Sequence, residues 1–152
     1  MPSLYMETTK IPAGRTAQEI CTVLVDAGAT NINQSYENRK LVGLRWTMRV
    51  NGKDVPFSMP ARVEPVFHLI QKARSVKFRD RSAEADREQA ERVAWRQLLR
   101  WVQAQLAMIE TGMVEPAEVF MPYLEVVPGR TMFQALQDSR FKLLQAPEKR
   151  HA

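Results

Sequence analysis

Cysteine and histidine are almost missing from this chain of 152 residues, which has one Cys and two His. The single thiol, Cys21, cannot close an internal disulfide. No basic start followed by an apolar stretch and a small-residue cleavage site opens the chain, so the expectation is a protein that is not exported and works in a reducing, cytoplasmic compartment. A zinc site needs three or four converging ligands, and His68, on an apolar helical stretch, and His151, near the C-terminus, do not supply them. The same scarcity removes the Cys–His and Ser–His nucleophile pairs. Glycine is also rare, six in all, and none forms a Gly-rich phosphate loop. No run approaches the roughly eighteen apolar residues of a membrane span. Only Glu7, Glu19, Asp26, Glu37 and Asp54 leave room for a carboxylate pair assembled in space. These absences point away from an enzyme, a metal site or a cofactor.

What the chain has is basic charge placed unevenly. From Arg39 to Arg100 there are 15 Lys and Arg against 7 Asp and Glu, a net of +8, while the rest carries 7 basic against 10 acidic residues. Such segregation suits an anionic partner, although solubility alone also produces basic domains.

The periodicities describe one domain over 1–152. Thr16 followed by Glu19 has the form of a capping box and marks the expected start of a first helix. Ile20, Val23, Leu24 and Ala27 continue it as one apolar stripe, and Gly28 ends it. Cys21 beside that stripe reads as a small buried thiol. Alternation then puts Ile32, Gln34 and Tyr36 on one face of a strand and Leu44, Trp46, Met48 and Val50 on one face of the next. Asn51-Gly52 is the favoured pair for a two-residue hairpin. Val55, Phe57 and Met59 continue a third strand, which Pro56 either confines to an edge or ends early. The opposite face of the second strand carries Arg45, Thr47 and Arg49, with Arg39, Lys40 and Lys53 at the turns.

Beyond Pro60, Val63, Val66, Phe67 and Ile70 form a helical stripe expected to pack on the apolar sheet face. The segment 72–82, with Lys72, Arg74, Lys77, Phe78, Arg79 and Arg81, reads as an exposed, mobile basic loop. Ala83 to Gly112 has no proline or internal glycine and reads as one long, central helix, with Glu84 and Asp86 complementing its dipole. Its apolar residues, Trp95 and Trp101 among them, cover about two thirds of its circumference, counting 100° per residue. Arg92, Arg96, Arg100 and Gln103 form the remaining polar line. Glu115-Pro116 opens a short helix, Pro128-Gly129 makes a turn, and Thr131 with Gln134 caps a last helix. A charged tail from about residue 146 to 152 is expected to be disordered. The fold class is therefore α+β: a three-stranded antiparallel sheet with a hairpin, packed against helices that include one long central helix.

The stretches AWRQLLRWVQAQLAMIETGMVEPAEVFMPYL (Ala94 to Leu124), IPAGRTAQEICTVLVDAGA and FSMPARVEPVFHLI resemble a group of small proteins encoded in phages and prophages. The resemblance covers most of the chain, implies a viral context within a host cytoplasm, and transfers no site residues. The order of helix, hairpin sheet and long helix is similar to the core of the single-strand annealing proteins of phage recombination systems.

Two functions follow as expectations. In the first, Arg39, Lys40, Arg45, Arg49 and Lys53 from the sheet and Lys72, Arg74, Lys77, Arg79 and Arg81 from the loop bind the phosphates of nucleic acid, single-stranded DNA foremost, with Arg92, Arg96 and Arg100 as a secondary basic line. Phe78 and Tyr36 could stack on unpaired bases, though for Tyr36 core packing is the expected role. In the second, the chain is a protein-binding module inhibiting a host defence system, with Met113, Met121 and Met132 as an adaptable surface; core filling is the competing role for these methionines. A homo-oligomer through the Pro56 edge is compatible with both.

Overall fold

A computed structural model of the chain describes residues 4–77 and 82–142. The elements run α1 (Ala13–Asp26), β1 (Thr30–Glu37), β2 (Lys40–Val50), β3 (Lys53–Pro60), α2 (Val63–Lys77), α3 (Ala83–Glu110), α4 (Pro116–Phe120), a 3-10 turn (Met121–Tyr123), β4 (Glu125–Val127), β5 (Arg130–Thr131) and α5 (Met132–Asp138). β1, β2 and β3 form an antiparallel sheet in that order, and β4 with β5 forms a small second one. The α+β class and the long helix are as expected.

Local chemistry explains most of these elements. Asn51 (φ 50°) and Gly52 (φ 78°) both take positive φ between the paired residues Val50 and Lys53, the backbone a type I′ hairpin requires. A second such turn, at Asn38 (φ 48°) and Arg39 (φ 64°), joins β1 to β2 without a glycine. The order of the sheet puts β3 at an edge, which accommodates Pro56 opposite Thr47. α3 is one continuous helix of 28 residues, capped by Ser82, whose Oγ accepts from the Ala85 amide. The capping box of α5 is formed: Thr131 Oγ1 accepts from the Gln134 amide, and Gln134 Oε1 accepts from the Thr131 amide at 2.9 Å.

The start of α1 differs from its expectation. The helix begins at Ala13 after an extended Pro12, and the Thr16 amide already bonds the Pro12 carbonyl, so Thr16 lies inside the first turn. Its hydroxyl and the Glu19 carboxylate turn instead to Arg96 of α3. A charged tertiary partner has displaced the local cap.

One face of the sheet and the inner sides of α1, α3 and α4 enclose the core. Trp46 and Phe57 stack at 5.8 Å, and Phe120 of α4 closes on both edge-on at 5.5 and 6.1 Å. Trp95, Leu99 and Val102 of α3 and Ile20 and Leu24 of α1 complete it, all fully buried. Burying each such side chain contributes about 1.5–3 kcal/mol. Trp101 is less enclosed than expected. It is partly buried and meets Phe120 and Tyr123 edge-on at 5.7 and 5.8 Å.

α2 does not pack on the sheet. It lies along α3, with Phe67 buried beneath the Arg87 guanidinium at 4.2 Å. The apolar sheet face is already filled by α1, α3 and Phe120, so the α2 stripe takes the free flank of α3. The segment before α1 is strapped to α3 by Gln89 Nε2, which donates to the carbonyls of Glu7 and Thr9, and by Gln97 Nε2, which donates to that of Tyr5.

Gly43 of β2 lies opposite Pro60, where a Cβ would stand 2.7 Å from the Met59 carbonyl oxygen. Gly43→Ala should therefore destabilise the fold by about 1–3 kcal/mol. Urea unfolding reads this as a lower midpoint at unchanged slope, and an unchanged midpoint would mean that β3 moves aside at no cost.

Candidate nucleic-acid interface

Among the described residues no element packs on the second face of the sheet. Pairing across β1, β2 and β3 sets Asn33 beside Arg45, Arg45 beside Ser58 and Arg49 beside Asp54, so these polar side chains share the side away from the core. Asn33, Arg45 and Arg49 are exposed, and Thr47 and Ser58 are half-buried. Glu125 of β4 reaches this face: Arg45 Nε donates to both its carboxylate oxygens at 3.1 Å and Nη2 to one at 2.7 Å. The Glu125 side chain is only 4% exposed, so this forked pair is firmly placed. Arg49 sits 3.4 Å from Asp54 with both side chains mostly in water, a contact of little energy.

The remaining sheet cations stand at the margins. Arg39 is exposed on the β1–β2 turn, and Lys53 is exposed beside the β2–β3 turn, neither with an ion-pair partner among the described residues. Lys40 turns to the helical side, its Nζ 3.4 Å from Glu91 of α3. Tyr36 is 60% exposed rather than core-packed, and its hydroxyl donates to Gln34, whose neighbour across the ladder is the core residue Leu44. It thus lies on the helical side of the sheet, away from Arg45 and Arg49.

The expected basic loop is in part a helix. Lys72 and Arg74 lie on α2, which continues to Lys77. Helical hydrogen bonding extends as far as that because nothing before residue 78 breaks it. Lys72 is exposed, and Arg74 holds the carboxylate of Asp86, which is 1% exposed on α3. The Lys77 side chain and Phe78, Arg79 and Arg81 lie outside the described residues.

Nor is the polar line of α3 a surface feature throughout. Arg96 is buried, its Nη1 donating to both oxygens of Glu19 at 3.1 Å and to Thr16 Oγ1 at 3.4 Å. Its Nε has no hydrogen-bond partner among the described residues. α1 has docked on this line, so Arg96 ties two helices together and is not accessible to a phosphate. Arg92 is half-buried and donates to Gln89, while Arg100, exposed, donates to Gln103.

The structure therefore spreads the sequence-derived cations over the open face (Arg45, Arg49), the sheet margins (Arg39, Lys40, Lys53), α2 (Lys72, Arg74) and α3 (Arg92, Arg100). A further cation, Arg62, has no sequence signal, since a lone arginine between Pro60 and Pro65 carries no pattern. It is exposed, lies over the Phe133 ring at 5.6 Å and has no carboxylate partner among the described residues. Met113 and Met121 are 69% and 49% exposed, so neither fills the core.

Titration behaviour is perturbed at few places. Burial pushes the Cys21 thiol above its ordinary value, partly offset by a hydrogen bond with Gln34. The Arg87 guanidinium hydrogen-bonded to Glu64 holds that carboxyl below its usual range, and Glu64 raises Arg87 in return. His68 is exposed and 3.8 Å from Glu64. Among the described residues no group of three or more His, Cys, Asp or Glu is placed to hold a metal ion, and no helix is long and apolar enough to cross a membrane. No family model, curated protein or solved structure matches the chain.

Two outcomes follow. Arg74→Ala leaves the buried Asp86 carboxylate without its cation and should cost about 3 kcal/mol in urea unfolding; a change within error would mean water reaches Asp86. Cys21 in the native protein should react with Ellman's reagent far more slowly than in urea, because the thiol is buried and protonated. Equal rates would place it at the surface.

Proposed function

We propose that the protein binds single-stranded nucleic acid across the open face of its sheet, by phosphate contacts that do not read sequence. The observation that supports this most is the face itself, which no described element covers: Asn33, Arg45, Thr47, Arg49 and Ser58 offer hydrogen-bonding groups, with Pro56 opposite Thr47 among them. Arg39 and Lys53 stand at the two ends of β2, about 33 Å apart at 3.3 Å per residue, Lys53 at the margin beside its partner Val50. Arg45 is fixed in direction by Glu125, and the chain around it is net basic. The resemblance to phage-encoded proteins agrees with a role in phage DNA metabolism. A polyanion would compete with Asp54 for Arg49, a contact already weakened by water. The face carries no aromatic platform, so base identity should matter little.

A second reading, a protein-binding module acting on a host protein, is favoured by the exposure of Met113 and Met121 together with Val127 at 53%.

Fluorescent oligonucleotides titrated at rising salt separate the two. The parent should bind at low salt and weaken steeply, and the double variant Arg39→Ala/Lys53→Ala should bind less tightly on all sequences, with log K less steep against log salt by about 0.7 per lost contact for a single strand. No binding by the parent at low salt contradicts the reading and leaves the protein-binding module.

A further inference from the structure

A cavity of about 310 Å³ lies between the start of α2, the middle of α3 and the 3-10 turn, bordered by Pro60, Arg62, Gln97, Leu98, Trp101 and Tyr123. Its aromatic walls are the partly buried Trp101 and Tyr123, whose rings meet at 82°, forming a corner in which one ring can stack on a planar group while the other abuts its edge. No carboxylate lines it. Arg62 stands at its rim with its charge uncompensated by any carboxylate among the described residues, steadied against Phe133. Gln97 is already oriented by donating to the Tyr5 carbonyl, which leaves its own amide oxygen to accept a hydrogen bond. Pro60 and Arg62 also border a larger cleft of about 700 Å³, lined by Lys40 and Arg87 and by Glu37, Glu64 and Glu91, of which Glu64 is hydrogen-bonded to Arg87 and Glu91 pairs with Lys40.

The geometry points to a nucleotide site: a nucleobase packed in the Trp101–Tyr123 corner, its exocyclic amine within reach of Gln97, and its phosphate at Arg62. The pairing of an aromatic corner with an uncompensated guanidinium, in a cavity free of acids, selects a planar ring that carries an anion close by. The volume is that of a small-molecule pocket. A free mononucleotide and one nucleotide of a single strand present the same chemistry. The site lies on the helical side of the sheet and stands independently of the open face.

Tryptophan emission reads this site. Trp46 and Trp95 are fully buried, so a ligand stacking from solvent reaches Trp101 alone. The full chain is titrated with dAMP, deoxyadenosine, inorganic phosphate and a short oligodeoxyadenylate. dAMP should quench saturably, and deoxyadenosine or phosphate should bind about tenfold more weakly or worse, the value of a hydrogen-bonded charge. Arg62→Ala, at an exposed position, should bind dAMP no better than deoxyadenosine. Trp101→Phe should lose the optical signal yet still bind dAMP by calorimetry, since a ring remains. Quenching by both dAMP and the oligonucleotide assigns the site to a strand, and quenching by dAMP alone assigns it to a free nucleotide. Absence of saturable quenching by either, or quenching that Arg62→Ala leaves unchanged, overturns the proposal. Salt-dependent oligonucleotide binding with no Trp101 response to dAMP or to the oligonucleotide overturns this site and spares the sheet-face reading; a dAMP response without such binding does the reverse.

Discussion

The packing of α3 against the aromatic centre of the sheet is the constraint on which the rest depends. Trp95, Leu99 and Val102 fill the space above Trp46 and Phe57, and Phe120 closes the end of it. Because α3 is enclosed by the sheet on one side, α1 on a second and α2 on a third, each neighbour's position is fixed by which flank remains free. The open face of the sheet follows directly. All helices able to cover a sheet are committed to one side, and the second side is left to polar side chains.

The same packing decides what the charges can do. Arg96, in the middle of the arginine line of α3, faces α1 and becomes an internal tie to Thr16 and Glu19. Arg74 neutralises a buried carboxylate, and Lys40 answers Glu91. Much of the positive charge that distinguishes the middle of the chain is thus engaged in holding helices and strands together. Arg45 is likewise held by the buried Glu125, so the cations left for a partner are fewer and lie at the sheet tips, at Arg49 on the open face and at Arg62.

How much of this was legible in the sequence depended on how local each signal was. Asn51-Gly52, the Thr131–Gln134 box and the unbroken run of α3 are written within a few residues, and all formed as read. The Thr16–Glu19 pair looked equally local but was overridden by Arg96, 80 and 77 residues away along the chain. Periodicity gave the existence of the α2 stripe and the α3 polar line, but it carries no information about which element lies opposite. For that reason α2 was assigned to the sheet and Arg96, with Arg92 and the exposed Arg100, to the surface. Core packing was the expected role of Tyr36 and the competing role of Met113, and both are exposed because they fall at a sheet margin and in a connection. The Arg62 cavity joins residues from three segments and had no sequence signal at all.

The account's central claim is that the surfaces left free by this packing are built for a single-stranded polyanion. Amide chemical shifts recorded while oligothymidylate is added at low salt test it most directly. The account predicts shifts gathered along β2 around Arg45 and Arg49 and at the Arg39 and Lys53 turns, fading as salt is raised. Shifts confined to the region of Met113, Met121 and Val127, or no shifts at all, would contradict it.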